Sequence, residues 1–72
     1  MTVNDILPFA QNYIEVVDDS NISHKGFIAN LKELKSVSRN TSDIQLHLCS
    51  GLTYDYLELG RVISVAKTQR NG

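Results

Sequence analysis

The alternation of apolar and polar residues is clearest in the second half of the chain, where it predicts β-strands. Residues 44–48 alternate strictly, which puts three apolar side chains on one face of a strand. Ser50-Gly51 has the composition of a tight turn, and residues 53–59 have high β-propensity. Gly60-Arg61 interrupts this pattern before a short apolar run over residues 62–65. We therefore predict a hairpin and a short final strand.

The first half of the chain predicts a short helix and a second hairpin. After a polar, capping-type start, apolar residues recur at helical spacing, and Pro8 is tolerated only in the first turn of a helix. We place this helix at about residues 4–12. Residues 13–17 are rich in β-branched and aromatic side chains, and a second extended run covers about residues 24–32. Residues 18–21 between them have a turn composition.

A different interpretation of the first half remains open. The apolar residues of 6–17 also fit one long helix, and those of 27–34 fit a second. That interpretation gives an α+β fold with two N-terminal helices before the sheet. Val16-Val17 and Gly26 weigh against it, because β-branched residues and glycine are poor helix formers. The favoured fold is mainly β, a short N-terminal helix followed by a strongly bent five-stranded antiparallel sheet. Closing such a sheet into a small barrel removes its exposed edges.

Length and composition indicate a single small domain over residues 1–72, with a polar and frayed tail at 66–72. A chain of this size buries only about 60% of the surface that its unfolded form exposes, so small domains often need further support. The single cysteine, Cys49, excludes an intramolecular disulfide, and two histidines are too few for a structural zinc site. We expect no metal and no cofactor, and a homo-oligomer is the support left open.

Charge and motifs restrict the function classes. A net charge of −1 argues against a strongly basic nucleic-acid arm and against a polybasic membrane anchor. The apolar runs are too short to cross a bilayer, and the N-terminus does not resemble a signal peptide. One unpaired cysteine fits a reducing compartment, so we expect a cytoplasmic protein. We find no phosphate-binding glycine loop and no combination of acid, base and nucleophile, and we therefore expect neither an enzyme nor a small-molecule substrate.

Candidate binding residues are aromatic and lie on the predicted strands of the second half. Tyr54 and Tyr56 share one face of their strand, and this is the outer face if Leu57 packs in the core. Two exposed tyrosines in register could stack nucleobases or anchor a protein interface, although ordinary cross-strand packing is the alternative. His47 also points away from the core face of its strand and is a candidate contact for a base.

Basic side chains are dispersed along the chain rather than clustered. Arg61 and Lys67 flank the predicted final strand, and Arg39 lies in the polar segment before residue 44. These three are candidate phosphate ligands if the fold brings them together, and a dispersed surface charge is the alternative.

The order of one helix and five strands resembles the Sm-like, or SH3-like, small β-barrels. Residues 27–34 (Phe-Ile-Ala-Asn-Leu-Lys-Glu-Leu) resemble the second strand of the Rof family, antiterminators that bind the Rho termination factor. Residues 57–65 (Leu-Glu-Leu-Gly-Arg-Val-Ile-Ser-Val) resemble the leucine-rich ending of that family. A weaker similarity to Hfq covers Lys25-Gly26-Phe27-Ile28 and residues 54–65.

The resemblance implies a non-catalytic regulatory module that binds RNA or a protein of transcription or RNA metabolism, such as a termination protein. The alternative is a protein-interaction or oligomer-forming module with no nucleic-acid role. In either case we expect the chain to associate with itself, with strand-to-strand contact as the form of that association.

Overall fold

Five strands and four short helical segments form the part of the chain that the computed structural model describes, residues 1–37 and 40–70. In chain order they are α1 (Val3–Ile6), a 3₁₀ helix (Leu7–Phe9), β1 (Ile14–Asp18), β2 (Ser23–Ile28), α2 (Leu31–Ser36), β3 (Gln45–Ser50), β4 (Thr53–Glu58), a second 3₁₀ helix (Leu59–Arg61) and β5 (Val62–Lys67).

The strands form one antiparallel sheet in the order β4-β3-β2-β1-β5. The predicted fold class, a mainly β domain with a short N-terminal helix and five antiparallel strands, is confirmed. Because β4 and β5 end the order, they are the two edges of the sheet.

The sheet bends at Gly26, in the middle of β2. The first part of β2 pairs with β1, whereas Phe27 and Ile28 pair with β3. A Cβ atom on residue 26 would lie only 2.8 Å from the carbonyl oxygen of Cys49, so the backbones of β2 and β3 approach too closely for any side chain. Gly26 therefore marks the point where β2 passes from one half of the sheet to the other.

The core lies on the concave side of the bent sheet and is closed by the helical segments. Strand residues that alternate along the chain supply most of it, and α1 and α2 add apolar side chains. The buried apolar residues are Val3, Ile6, Ile14, Val16, Ile28, Leu34, Leu46, Leu48, Leu57, Leu59 and Val62. Each such side chain stabilises the fold by about 1.5–3 kcal/mol relative to an exposed one, before the entropy of ordering is subtracted.

Two boundaries in the first half differ from the sequence prediction. The predicted helix over residues 4–12 is shorter and divides into α1 and a 3₁₀ turn that contains Pro8. The extended run predicted over residues 24–32 ends at Ile28, and Leu31–Ser36 is helical instead.

The α2 helix forms because the chain leaves the sheet at Asn30. The side-chain amide of Asn30 donates to the Gln45 carbonyl at 2.9 Å and accepts from the His47 amide at 3.3 Å, so it takes the place of a strand partner for β3. Leu34 is then fully buried one turn into the helix. The alternative with two long helices is wrong for residues 14–17, which are in a strand, but its helical spacing for Leu31 and Leu34 is correct.

The second half follows the prediction closely, with β3, β4 and β5 within two residues of the expected boundaries. β5 continues to Lys67, into the segment predicted to be frayed. Within the described residues, no helix has the length and apolar character needed to cross a membrane.

Candidate functional site

The outer side of β2, β3 and β4 carries aromatic side chains where a soluble sheet usually carries polar ones. Cross-strand register places His47 opposite Tyr56, and places Cys49 between Phe27 on one side and Tyr54 on the other. We call these five residues the aromatic face. Tyr54 is 54% exposed, Tyr56 is 62% exposed and Phe27 is 40% exposed. Contiguous exposed apolar patches on a protein surface often mark interaction sites.

Three rings of the aromatic face, those of His47, Tyr56 and Tyr54, are in contact with one another in sequence, and we call them the tyrosine row. The centroids of Tyr54 and Tyr56 are 6.4 Å apart and their planes are inclined by only 27°. His47 contacts Tyr56 edge-on, with centroids 4.7 Å apart. The side chain of Leu57 is buried between the two outward-facing positions 56 and 58, so the alternation in β4 orients both tyrosines outward, as the sequence predicted.

Cys49 lies at the centre of the aromatic face and acts on the phenol of Tyr54. A side-chain hydrogen bond with Cys49, and repulsion from its thiolate form at the high pH where tyrosine titrates, raise the pKa of Tyr54 above its usual value, and partial desolvation and Tyr56 add to the effect. Tyr54 is therefore a neutral phenol at physiological pH, with an apolar ring and a hydroxyl that can donate a hydrogen bond. Both properties suit contact with a planar, polar-edged ligand such as a nucleobase.

The predicted basic residues lie at different places around this face. Arg61 is in the 3₁₀ helix before β5, and its Nε and Nη2 atoms both lie 3.1 Å from a carboxylate oxygen of Asp19. Asp19 is the main reason that the pKa of Arg61 is raised. Lys67 is at the other end of β5, roughly 20 Å away along the strand. Arg39 lies outside the described residues.

A cleft of about 340 Å³ separates the aromatic face from the β1–β2 turn. Tyr56 and Glu58 line it on one side, and Ile22, His24 and Arg61 line it on the other. The fold thus brings Arg61 near the tyrosine row, although its guanidinium is already paired, and it keeps Lys67 away from that end.

A second polar cluster, which sequence reasoning missed, lies at the base of the cleft. Asp18 is almost completely buried, and one of its carboxylate oxygens accepts the amides of Ser20 and Ile22 at 2.8 and 3.0 Å. Its other oxygen lies 3.0 Å from Nε2 of His24, whose Nδ1 is 3.6 Å from a carboxylate oxygen of Asp55. The hydrogen bonds from His24, Ile22 and Ser20 lower the pKa of Asp18 to about 2.

The sequence predicts a turn over residues 18–21, but the alternation of β1 continues into Asp18 and directs its side chain inward. Residues 14, 16 and 18 share one face of the strand, and this alternation is the signal from which the inward direction of Asp18 could have been predicted. Every polar atom of the Asp18 carboxylate has a partner, so its arrangement is that of a structural turn anchor. Along residues 1–37 and 40–70, no group of three or more histidine, cysteine or acidic side chains is arranged to hold a metal ion.

The described parts of the chain therefore offer one surface with binding chemistry and one cleft beside it. Comparisons with protein-family models, curated proteins and solved structures find no match to this chain. Its function has to be inferred from the site itself.

Proposed function

We propose that this chain is a non-catalytic binding module and that its ligand is single-stranded RNA, bound on the aromatic face. The observation that carries the proposal is the nearly parallel pair of Tyr54 and Tyr56, exposed on an edge strand and extended by His47. Successive bases of a single strand stack on such rings whatever their sequence, because every base has a π-face.

The charge of the chain determines how strongly its RNA affinity should depend on salt. With a net charge of −1 the chain has little of the long-range attraction that dominates non-specific binding. Affinity must then come from a few local contacts, with stacking as the larger part. We expect modest affinity, a shallow dependence on salt and no preference for double-stranded RNA, whose bases are not available for stacking.

The test is an anisotropy titration with labelled single-stranded RNAs of roughly ten nucleotides, at about 50 and 200 mM salt. Tyr56→Ala should weaken binding roughly tenfold or more, because a stacked base contributes about 1–3 kcal/mol, and it should leave the salt dependence unchanged. Tyr56→Phe keeps the ring and is the matched control, which should bind like the wild type. If the wild type does not bind at low salt, the RNA proposal fails.

A second candidate function, a protein-interaction or oligomer-forming module, is favoured by the open edges of the sheet. β4 and β5 each have a neighbour on one side only, and Ile63 on β5 is 57% exposed. Unpaired strand edges pair readily with another strand. If this is the function, the chain should associate with itself to the same extent with and without RNA, and a measurement of the oligomeric state tests it.

A further inference from the structure

The C-terminal segment after β5 continues beside β1 and reaches the aromatic face. The amide of Thr68 donates to the carbonyl of Tyr13 at 3.0 Å, which extends the pairing of β5 with β1 by one residue. Two residues later the guanidinium carbon of Arg70 lies 5.8 Å from the centroid of the Phe27 ring. Tyr13 contacts the same ring edge-on, with centroids 5.2 Å apart. We call Tyr13, Phe27 and Arg70 the Phe27 corner.

Arg70 differs from Arg61 in what surrounds its charge. In the described ranges, Arg61 forms a close ion pair with Asp19, whereas no carboxylate lies within 4.0 Å of the Arg70 side chain. The ring of Phe27 holds the guanidinium by a cation–π contact, which leaves its N–H groups available to an anion. Lys67 pairs in register with Ile14, whose side chain faces the core, so Lys67 lies on the other face of the sheet from Tyr13 and Phe27.

The Phe27 corner is continuous with the tyrosine row. Phe27 pairs with Cys49, and Cys49 pairs with Tyr54, so the Phe27 and Tyr54 positions are two strand spacings apart, roughly 10 Å. A short single strand stacked on Tyr56 and Tyr54 would therefore continue towards Phe27. At the opposite end of the row, Glu58 gives the face a negative charge. The face has one cationic and one anionic end.

We infer that Arg70 is the phosphate-binding residue of this surface and that Phe27 positions it, so that the RNA backbone runs over the Phe27 corner. The inference rests on the proposed function. An arginine held over a ring loses little side-chain freedom when it binds, and its planar guanidinium can donate two parallel hydrogen bonds to a phosphate. Arg61 lacks this freedom because Asp19 already takes its donors.

The experiment is the same titration with Arg70→Ala, Arg70→Lys and, as a control of equal charge change, Lys35→Ala. Lys35 is exposed on α2 and outside the aromatic face. One lost phosphate contact should lower the slope of log K against log salt by about 0.7 for a single strand, and should weaken binding at low salt roughly fivefold to tenfold. Arg70→Lys should keep most of the salt slope but bind more weakly than the wild type, because lysine lacks the planar guanidinium that can donate two parallel hydrogen bonds to a phosphate. Lys35→Ala should leave both quantities unchanged.

The outcomes separate this inference from the proposed function. If the wild type binds RNA, Tyr56→Ala weakens it, and Arg70→Ala changes neither affinity nor slope, the inference is overturned and the proposed function stands. If Arg70→Ala and Lys35→Ala lower the slope equally, the effect is general charge and the inference is also overturned. Absence of wild-type binding overturns both. Circular dichroism of each variant checks that the fold is intact, which we expect because Arg70 and Lys35 are both exposed.

Discussion

Asp18 is, in the described part of the chain, the charged side chain that the fold buries, and its surroundings determine how it responds to acid. It accepts hydrogen bonds from His24, Ile22 and Ser20, and the turn from β1 to β2 closes around it. The neighbouring Asp19 projects outward to Arg61. The two adjacent aspartates therefore have different roles: Asp18 accepts the hydrogen bonds that hold the turn, and Asp19 forms a surface ion pair with Arg61.

The lowered pKa of Asp18 makes folding stability depend on pH. Its folded pKa of about 2 is below the value of 3.8 for an unperturbed aspartate, so the ionised carboxylate stabilises the folded state above about pH 4. This contribution is lost as the pH falls from about 4 towards 2. We expect Asp18→Asn to lower the melting temperature at pH 7 and to remove part of the acid-induced decrease. Thermal melts between pH 7 and pH 2 measure both effects.

Asp43→Asn is the control for this prediction, because it removes one carboxylate from an exposed loop position. Its melting temperature should follow the wild-type pH profile. A variant Asp18→Asn that melts like the wild type at pH 7 would contradict the role given to the turn anchor.

Among the elements, β2 depends most on a single position. Gly26→Ala would place a Cβ 2.8 Å from the Cys49 carbonyl oxygen and 3.0 Å from the backbone carbon and nitrogen of the same residue. Backbone atoms on a central strand cannot move aside, so we expect a loss of about 1–3 kcal/mol in the free energy of unfolding. Urea denaturation measures the loss.

Gly51→Ala is the comparison for that prediction. Gly51 is in the β3–β4 turn with φ 85, and no atom lies within 4 Å of where its Cβ would be. Only the backbone conformation is unfavourable for alanine there, at a cost of about 1–2 kcal/mol. If Gly26→Ala is as stable as the wild type, the close approach of β2 and β3 does not require glycine and the stated cause of the bend is wrong.

Some of the secondary-structure elements could be predicted from local sequence, and others could not. Alternation in residues 44–48 and 53–59 predicted two strands and the outward direction of Tyr54 and Tyr56, because a period of two depends only on neighbours in the chain. The end of β2 was placed too late, because Leu31 and Leu34 fit a helix and a strand pattern almost equally over so few residues.

Contacts between side chains on different strands could not be predicted from the sequence. The pairing of His24 with Asp18 and the position of Arg70 over Phe27 both depend on strand register, and register is fixed by the whole sheet. Whether the basic residues converge was likewise not decided by the sequence. Lys67 and Arg61 are close in sequence, but an extended strand separates them.

The whole molecule is a small sheet with two open edges, and this bears on its state in solution. A domain of 72 residues has a marginal core, and its edge strands β4 and β5 present unpaired backbone groups. Many proteins protect an edge strand with a charged side chain, but the second residue of β5 is the exposed apolar Ile63. Burying that side chain and pairing that edge would both favour association with another copy.

We therefore expect the wild type to form a homo-oligomer at high micromolar concentration, with β5 in the contact. Ile63→Lys should shift it to a monomer without unfolding it, because residue 63 is exposed and a lysine on an edge strand opposes pairing. Leu52→Lys is the matched control, since Leu52 is 99% exposed at the tip of the β3–β4 hairpin and receives the same chemical change. Sedimentation velocity distinguishes the outcomes: a wild type that stays monomeric rules out self-association, and equal loss of assembly in both variants assigns the contact to general surface hydrophobicity instead of the β5 edge.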